Sequence, residues 1–593
     1  MTIKAPSAIL VVLLASMQSA LAGSATWNAN PQTSEWQMAA NWTPQTVPNS
    51  DSDTATFGSS NTTDVSLGVP SQTQEGSQTF LDGMIFTDEA GPYVITLTPD
   101  GSYGNFLVFD GAGVTNNSSV VQNIVAAAAG DTRRSASIGF NNEATVGQNM
   151  IYIAQGGAAS SGDGQYGALI VFQNQATAAS ATFINLGGTA PNSEGGGTVL
   201  HDSTSAQSAI FISDPATVSG AYAGATLLNT LGSIGSSTFV CNPATVNGAE
   251  GGWMEMLAGT SAGANFIANG AATAGPQAGQ LYIYGGSGYA TFSGNGGTAS
   301  GAQGGLVDLF TPPNSVQTLF IAQGGTNGGL GGDIVIEPKA IVDQTQFQLI
   351  GNGLLDVTKV KTSSVTIGSL GGDGIVSLAN KTIDIGNNNL ATTFAGTIQG
   401  SGSITKTGTG TLILAGSSSY TGGTTLTSGT LAVTNSTGSA TGSGAVKTTG
   451  GIFGGNGIVA GNVTIGDGVA AHAYLKPSAG AKQPSTLTIG GKLTLQADGV
   501  YICTLKAKTK RTENDEVIAK GIIIDAGAQF NLHVQGKLKA GASFTVISNT
   551  ASTPISGTFA NLADGATLTV GNTKLQASYE GGDGNDLTFT VVP

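Results

Sequence analysis

The residues of this 593-residue chain whose types could do chemistry are few and scattered. Three histidines, His201, His472 and His533, share no motif, and no nucleophile elbow that would expose a serine is evident. Polysaccharide cleavage needs clustered carboxylates for acid/base work or calcium, usually with a cationic base or clamp beside them. The nearest to such clusters are Asp51-Ser52-Asp53 and Glu513-Asn514-Asp515-Glu516, and both read as solvated turns. Arg133-Arg134 are the only cations between Gly23 and Pro338, where the acidic residues stand apart from one another. Gly581-Gly582-Asp583-Gly584-Asn585-Asp586 has the G-G-x-G-x-D form of calcium-binding β-roll turns, but such turns share their calcium between successive copies and this chain has one. It reads as a structural turn. Trp27, Trp36 and Trp42 could stack on sugars, and equally well could cover an open end of the fold. No catalytic, metal-binding or cofactor-binding residue emerges, and no cofactor is expected.

The elements that would position any site follow from an internal period. Tyr152, Phe183, Phe211, Phe239, Phe266, Phe292, Phe320 and Phe347 each open a similar phrase, at steps of 26 to 31 residues. A second phrase follows about thirteen residues later: GATLL from Gly224, GWMEML from Gly252, GQLYIY from Gly279, GLVDLF from Gly305 and GDIVIE from Gly332. Each unit therefore holds two or three short strands between Gly-rich turns. A propeller blade needs more chain, and a leucine-rich repeat would put leucine where Gly and Ser stand here. What fits is an all-β solenoid, a right-handed parallel β-helix with coils of about 27 residues. Successive coils lie about 4.8 Å apart, so the aromatic positions should stack inside as a ladder. Cys241 and Cys503, in different coils, cannot meet and should be two buried thiols.

Composition agrees. Gly supplies 91 residues, 40% of the chain is hydrophobic and 9% is charged, a mixture suited to short strands and tight turns. Lys4, the apolar run Ala8 to Ala15 and the small residues of Ala20-Leu21-Ala22 read as a secretory signal peptide cleaved before Gly23. No later run is apolar and long enough for a membrane-spanning helix. Between Gly23 and Pro338, 21 acidic residues face 2 basic ones, a surface that repels nucleic acid and acidic polysaccharide.

From Gly400 to Val433 the text changes to GSGSITKTGTGTLILAGSSSYTGGTTLTSGTLAV. Lys406-Thr407-Gly408-Thr409-Gly410-Thr411-Leu412, followed by Tyr420-Thr421-Gly422-Gly423-Thr424, resembles the autotransporter-associated β-strand repeat, also called the passenger-associated transport repeat. The resemblance implies a parallel β-helix on an exported passenger. Because the sequence stops at Val591-Val592-Pro593 without the alternating strands of a membrane barrel, a passenger-like chain lacking its own translocator is expected. The organisation predicted is a signal peptide (1–22), an N-terminal cap with the first strands (23–140), the repeat β-helix (141–390), the autotransporter-associated repeat (391–440) and a C-terminal β-helix with its cap (441–593). The function expected is an exported structural or adhesive scaffold, a monomeric rod at the cell surface or secreted. Cell-surface glycans or other envelope proteins are the expected partners. The alternative is a carbohydrate-active β-helix enzyme, a lyase or hydrolase. Solvent-facing carboxylates gathered across neighbouring coils would favour the enzyme, and an unbroken Asn, Ser, Thr and Gly face the scaffold.

Overall fold

The computed structural model describes residues 23–68, 77–99, 104–128, 135–159, 167–469, 473–481, 484–507 and 512–593. The signal peptide, Arg133-Arg134 and His472 lie outside the described residues. Among those described, the chain is a parallel β-helix: short strands, mostly of three to five residues, each pair with the equivalent strand one coil before and after. Alternate residues point in and out, as the recurrent buried/half-buried pattern of Thr182–Asn185, Thr238–Cys241 and Leu319–Ala322 records.

The aromatic period is the inner ladder. Tyr152 pairs with Phe183, and Phe183, Phe211, Phe239, Phe266, Phe292, Phe320 and Phe347 follow in unbroken register. All are buried, with neighbouring rings 4.6 to 5.3 Å apart and stacked. A second column, Phe109, Phe140 and Phe172, stacks at 5.0 Å on another set of strands and meets the first edge-on, with Phe140 5.5 Å from Tyr152. Cys241 and Cys503 are both free and buried.

A glycine column explains where each second phrase begins. An added Cβ at Gly252, Gly279, Gly305 or Gly332 would sit 1.8 to 2.0 Å from a backbone carbonyl oxygen, those of Ser213, Cys241, Ala268 and Gly294. At this pinch two walls of the coil touch, and only glycine fits. The N–H groups of Gly252, Gly279 and Gly305 donate to the carbonyls of Asn242, Asn269 and Asn295. Those same asparagines form a ladder of their own. Asn242 donates to Asp214, Asn269 to Asn242 and Asn295 to Asn269, at 2.8 to 3.0 Å.

The coil length holds near 27 residues from Phe183 to Phe347 and then contracts. Phe347 to Leu370 is 23 residues, Gly372 to Phe394 is 22, Phe394 to Leu414 is 20 and Leu414 to Val433 is 19, before the coil widens again to 29 between Tyr501 and Phe530. Inside the narrow coils Leu412, Leu414, Leu431 and Val433 replace the stacked rings.

Both ends are closed. Trp27, Trp36, Trp42 and Phe57 are buried against one another, with ring centroids 4.8 to 6.2 Å apart, and Thr26 pairs antiparallel with Thr43. At the other end Thr567–Val570, Thr573–Gly581 and Asp586–Val592 pair antiparallel and end the wrap. Such closure hides strand edges that would otherwise recruit another chain. The tryptophans are therefore end-cover, not a sugar platform.

Candidate functional site

The residues singled out in sequence do not converge on one centre. His201 lies on Gly197–Asp202 and His533 on Gln529–Gln535, strands of different coils. The two carboxylate runs are not solvated turns, because each buries one acid that fastens backbone. Asp53 is on the strand Ser50–Phe57, buried, and accepts from the Asn49 N–H at 3.0 Å. Asp515, fully buried, accepts from the N–H groups of Ser485 and Thr504, both at 2.9 Å, and from the Ser478 hydroxyl at 3.2 Å. Short-range polarity suggested exposure there, whereas Asp53 is covered and held by its own segment and Asp515 takes donors from the distant Ser478 and Ser485. Asp586 of the Gly-Gly-Asp-Gly-Asn-Asp turn is likewise buried and accepts from Asn549 N–H at 2.8 Å. Among the described residues no group of three or more His, Cys, Asp or Glu is arranged to hold a metal ion.

What the fold does gather is a face that the linear sequence hides. Five strands, Trp253–Ala268, Gln280–Ile283, Leu306–Leu309, Asp333–Ile336 and Leu354–Asp356, pair in register with their alternate residues outward. One outward column runs Trp253, Gln280, Leu306, Asp333, Leu354, and the next Glu255, Tyr282, Asp308, Val335, Asp356. Beside them stand Leu257, inside its strand, and Tyr284, Phe310 and Glu337, each just past the end of its strand. Tyr284 and Phe310 stack with centroids 4.0 Å apart, both half-buried, as are Trp253 and Tyr282. Acids that are 25 or more residues apart in Glu255, Asp308 and Asp333 thus share one surface with Glu337 and Asp356.

Lys359 is the cation of this cluster. Its Nζ lies 2.8 Å from Glu337 Oε1 and 3.7 Å from Asp308 Oδ2. Burial would lower its pKa, but the hydrogen bond to Glu337 and the charges of Asp308, Glu337 and Asp356 outweigh that and hold it raised. Asp308 is 6% exposed although it points outward, and its Oδ1 has no hydrogen-bond partner. Burial pushes its carboxyl up to about 7 against the pull of Lys359, helped by the charge of Glu337, a hydrogen bond to Glu337 and the charge of Asp333. Burial and the charge of Asp356 raise Asp333 to about 6. Glu255 is raised by burial. Near neutral pH Asp308 is therefore partly protonated, and the face presents flat rings beside oxygen acceptors.

One further segment is decided by comparison. Ile404, Thr405 and Lys406 pair with Ile383, Asp384 and Ile385 before them, and Thr424 to Leu426 follow one coil on. Tyr420 is buried and its hydroxyl meets Thr424 Oγ1 at 2.5 Å, while Gly423 turns the chain at φ 92°. Residues 404–433 match the family model of the Passenger-associated-transport-repeat. This segment resembles the passenger-associated transport repeat. Within it, Lys406 lies inside the coil between Ile385 and Leu426 with its ammonium donating to the carbonyls of Thr407 and Gly408. Burial lowers its pKa to about 8. No curated protein matches the chain in sequence. Among solved structures it is similar to the Haemophilus influenzae Hap adhesin, with 12% identity and a TM-score of 0.27, over 91% of this chain and 64% of that one. The chain thus spans less than two thirds of that protein.

Proposed function

We propose that this chain is an exported β-helical scaffold that adheres through many weak contacts along its length. The observation that carries this reading is the segment that matches the transport repeat, 404–433, built into the inner ladder of one continuous rod. The secretory signal read at residues 1–22 agrees with it, and among the described residues no helix is long and apolar enough to cross a membrane. The carboxylates gathered near Asp308 meet the condition set for the enzyme alternative in one respect, being spread across neighbouring coils. Yet Asp308 is almost wholly covered, and its partners are Glu337 and Lys359. That geometry suits holding a ligand better than exchanging protons with one. Surface glycans or envelope proteins are the partners this reading names, with the rod acting as a monomer.

The test is length dependence. Thr182 pairs with Ile210, which pairs with Thr238, so deleting Thr182–Ser237 removes two coils and sets Thr238 where Thr182 stood. The shortened rod should fold and bind a glycan-coated or cell surface more weakly than the full chain from Gly23, because avidity falls with the number of contacts. Release of reducing sugar by the full chain, lost on substitution of one carboxylate, would replace the scaffold with an enzyme.

A further inference from the structure

We infer that the outward face from Trp253 to Glu337 is a binding strip for a neutral glycan chain laid along the rod axis. This rests on the scaffold reading and names its partner. In this protein the large rings fill the interior: Trp27, Trp36, Trp42 and the Phe ladder are all at most 2% exposed. Four half-buried rings instead gather on one face. Trp253, Tyr282, Tyr284 and Phe310 stand half-buried on three successive strands of one face, two of them stacked as a pair. Half-covered rings offer a flat apolar surface held in place by their neighbours, which is what the face of a pyranose ring needs. Successive strands rise about 4.8 Å, close to the length of one sugar unit, so a glycan aligned with the axis meets each strand in the same way.

The polar groups choose among sugars. Glu255, Asp333, Glu337 and Asp356, all half-buried, turn acceptor oxygens to this face, while Asp308 is covered beneath it. Hydroxyl groups donate to such oxygens, whereas a uronic acid would bring a negative charge to a face with one cation, Lys359, already engaged by Glu337. The strip therefore takes neutral, hydroxyl-rich glycans and rejects acidic ones.

Trp253 is the one half-exposed tryptophan of the four, so its fluorescence reports on the strip alone. The full chain from Gly23 is titrated with hexamers of β-1,4-glucan, β-1,4-mannan and N-acetylchitin, and with oligogalacturonate as the acidic contrast. A neutral hexamer should shift or quench Trp253 emission, with at least tenfold weaker binding in the surface double variant Y284A/F310A at unchanged thermal stability. Oligogalacturonate should leave the emission unchanged. Silence of Trp253 towards all three neutral hexamers, equal binding by the double variant, or preference for the acidic one would overturn the strip. Adhesion of the rod to surfaces with Trp253 silent sinks the strip and leaves the scaffold standing. Sugar release sinks the scaffold itself.

Discussion

Truncating Phe266 to alanine removes one ring from the middle of the inner ladder. The ring is fully buried, 4.8 Å from Phe239 at 8° and 4.6 Å from Phe292 at 10°. Phe→Ala in a core costs about 3 to 5 kcal/mol, through lost transfer energy plus the cavity left behind. Here the upper part of that range is expected. The rings above and below cannot close the gap, because hydrogen-bonded strands hold their coils about 4.8 Å apart, and both stacking contacts, each about 0.5 to 1.5 kcal/mol, vanish together. Phe266→Leu keeps part of the filling and should cost under about 2 kcal/mol. Urea titration measures both. Hydrogen exchange should then show protection lost on Thr238–Cys241 and Ser287–Gly294 and retained on Thr382–Ile385, since coils contact only their neighbours. A cost below about 1 kcal/mol, or equal loss of protection in all three strands, would refute the stacked-ladder reasoning.

Gly279→Ala should destabilise by roughly 3 kcal/mol or more in the same titration, because its Cβ would lie 2.0 Å from the Cys241 carbonyl oxygen and the backbone must shift. Asp308 has a pKa of about 7 in the fold against 3.8 outside it, so between those values the folded state holds the extra proton and stability falls as pH rises through the window. Melting temperature should therefore rise on acidification from pH 7.5 to 5, and Asp308→Asn should flatten that rise. At most about 4 kcal/mol is at stake for this coupled group. Lys406 titrates the other way: with its pKa lowered from 10.5 to about 8, the unfolded chain holds the extra proton, so stability rises between pH 8 and 10.5. The stability difference between the parent and Lys406→Met should shift in favour of the parent over pH 8 to 10, by roughly 3 kcal/mol at most. No such shift would mean that Lys406 reaches solvent.

The inner ladder could be read from sequence because a stacked column demands one residue type at one spacing, and Phe211 to Phe347 keep to it. The second column, Phe109, Phe140 and Phe172, was harder to see, since it has three members and wider steps. The outward strip was hidden for a different reason. Glu255, Tyr282, Asp308 and Val335 become neighbours only when the coils are set in register, and nothing local marks Asp308 as covered or paired. The signal was nevertheless present in the phrases GWMEML, GQLYIY, GLVDLF and GDIVIE. Aligned on Gly252, Gly279, Gly305 and Gly332, the glycines that the coil cannot replace, their second, fourth and sixth letters spell out the strip. Asp515 does not read as buried because two of its donors, Ser478 and Ser485, are distant in sequence, and Asp53 because what covers it is not marked by its polar neighbours.

The contraction of the coil has an entropic meaning. Each coil forms by bringing a residue back over its own equivalent one turn earlier, and the entropy lost in doing so grows with the logarithm of the chain enclosed. Closing the 19 residues from Leu414 to Val433 costs about 0.4 kcal/mol less than closing the 31 from Tyr152 to Phe183. The advantage recurs in every short turn between Phe347 and Leu475. The segment that matches the transport repeat thus lies where contacts are shortest in range and a coil closes at the least entropic cost.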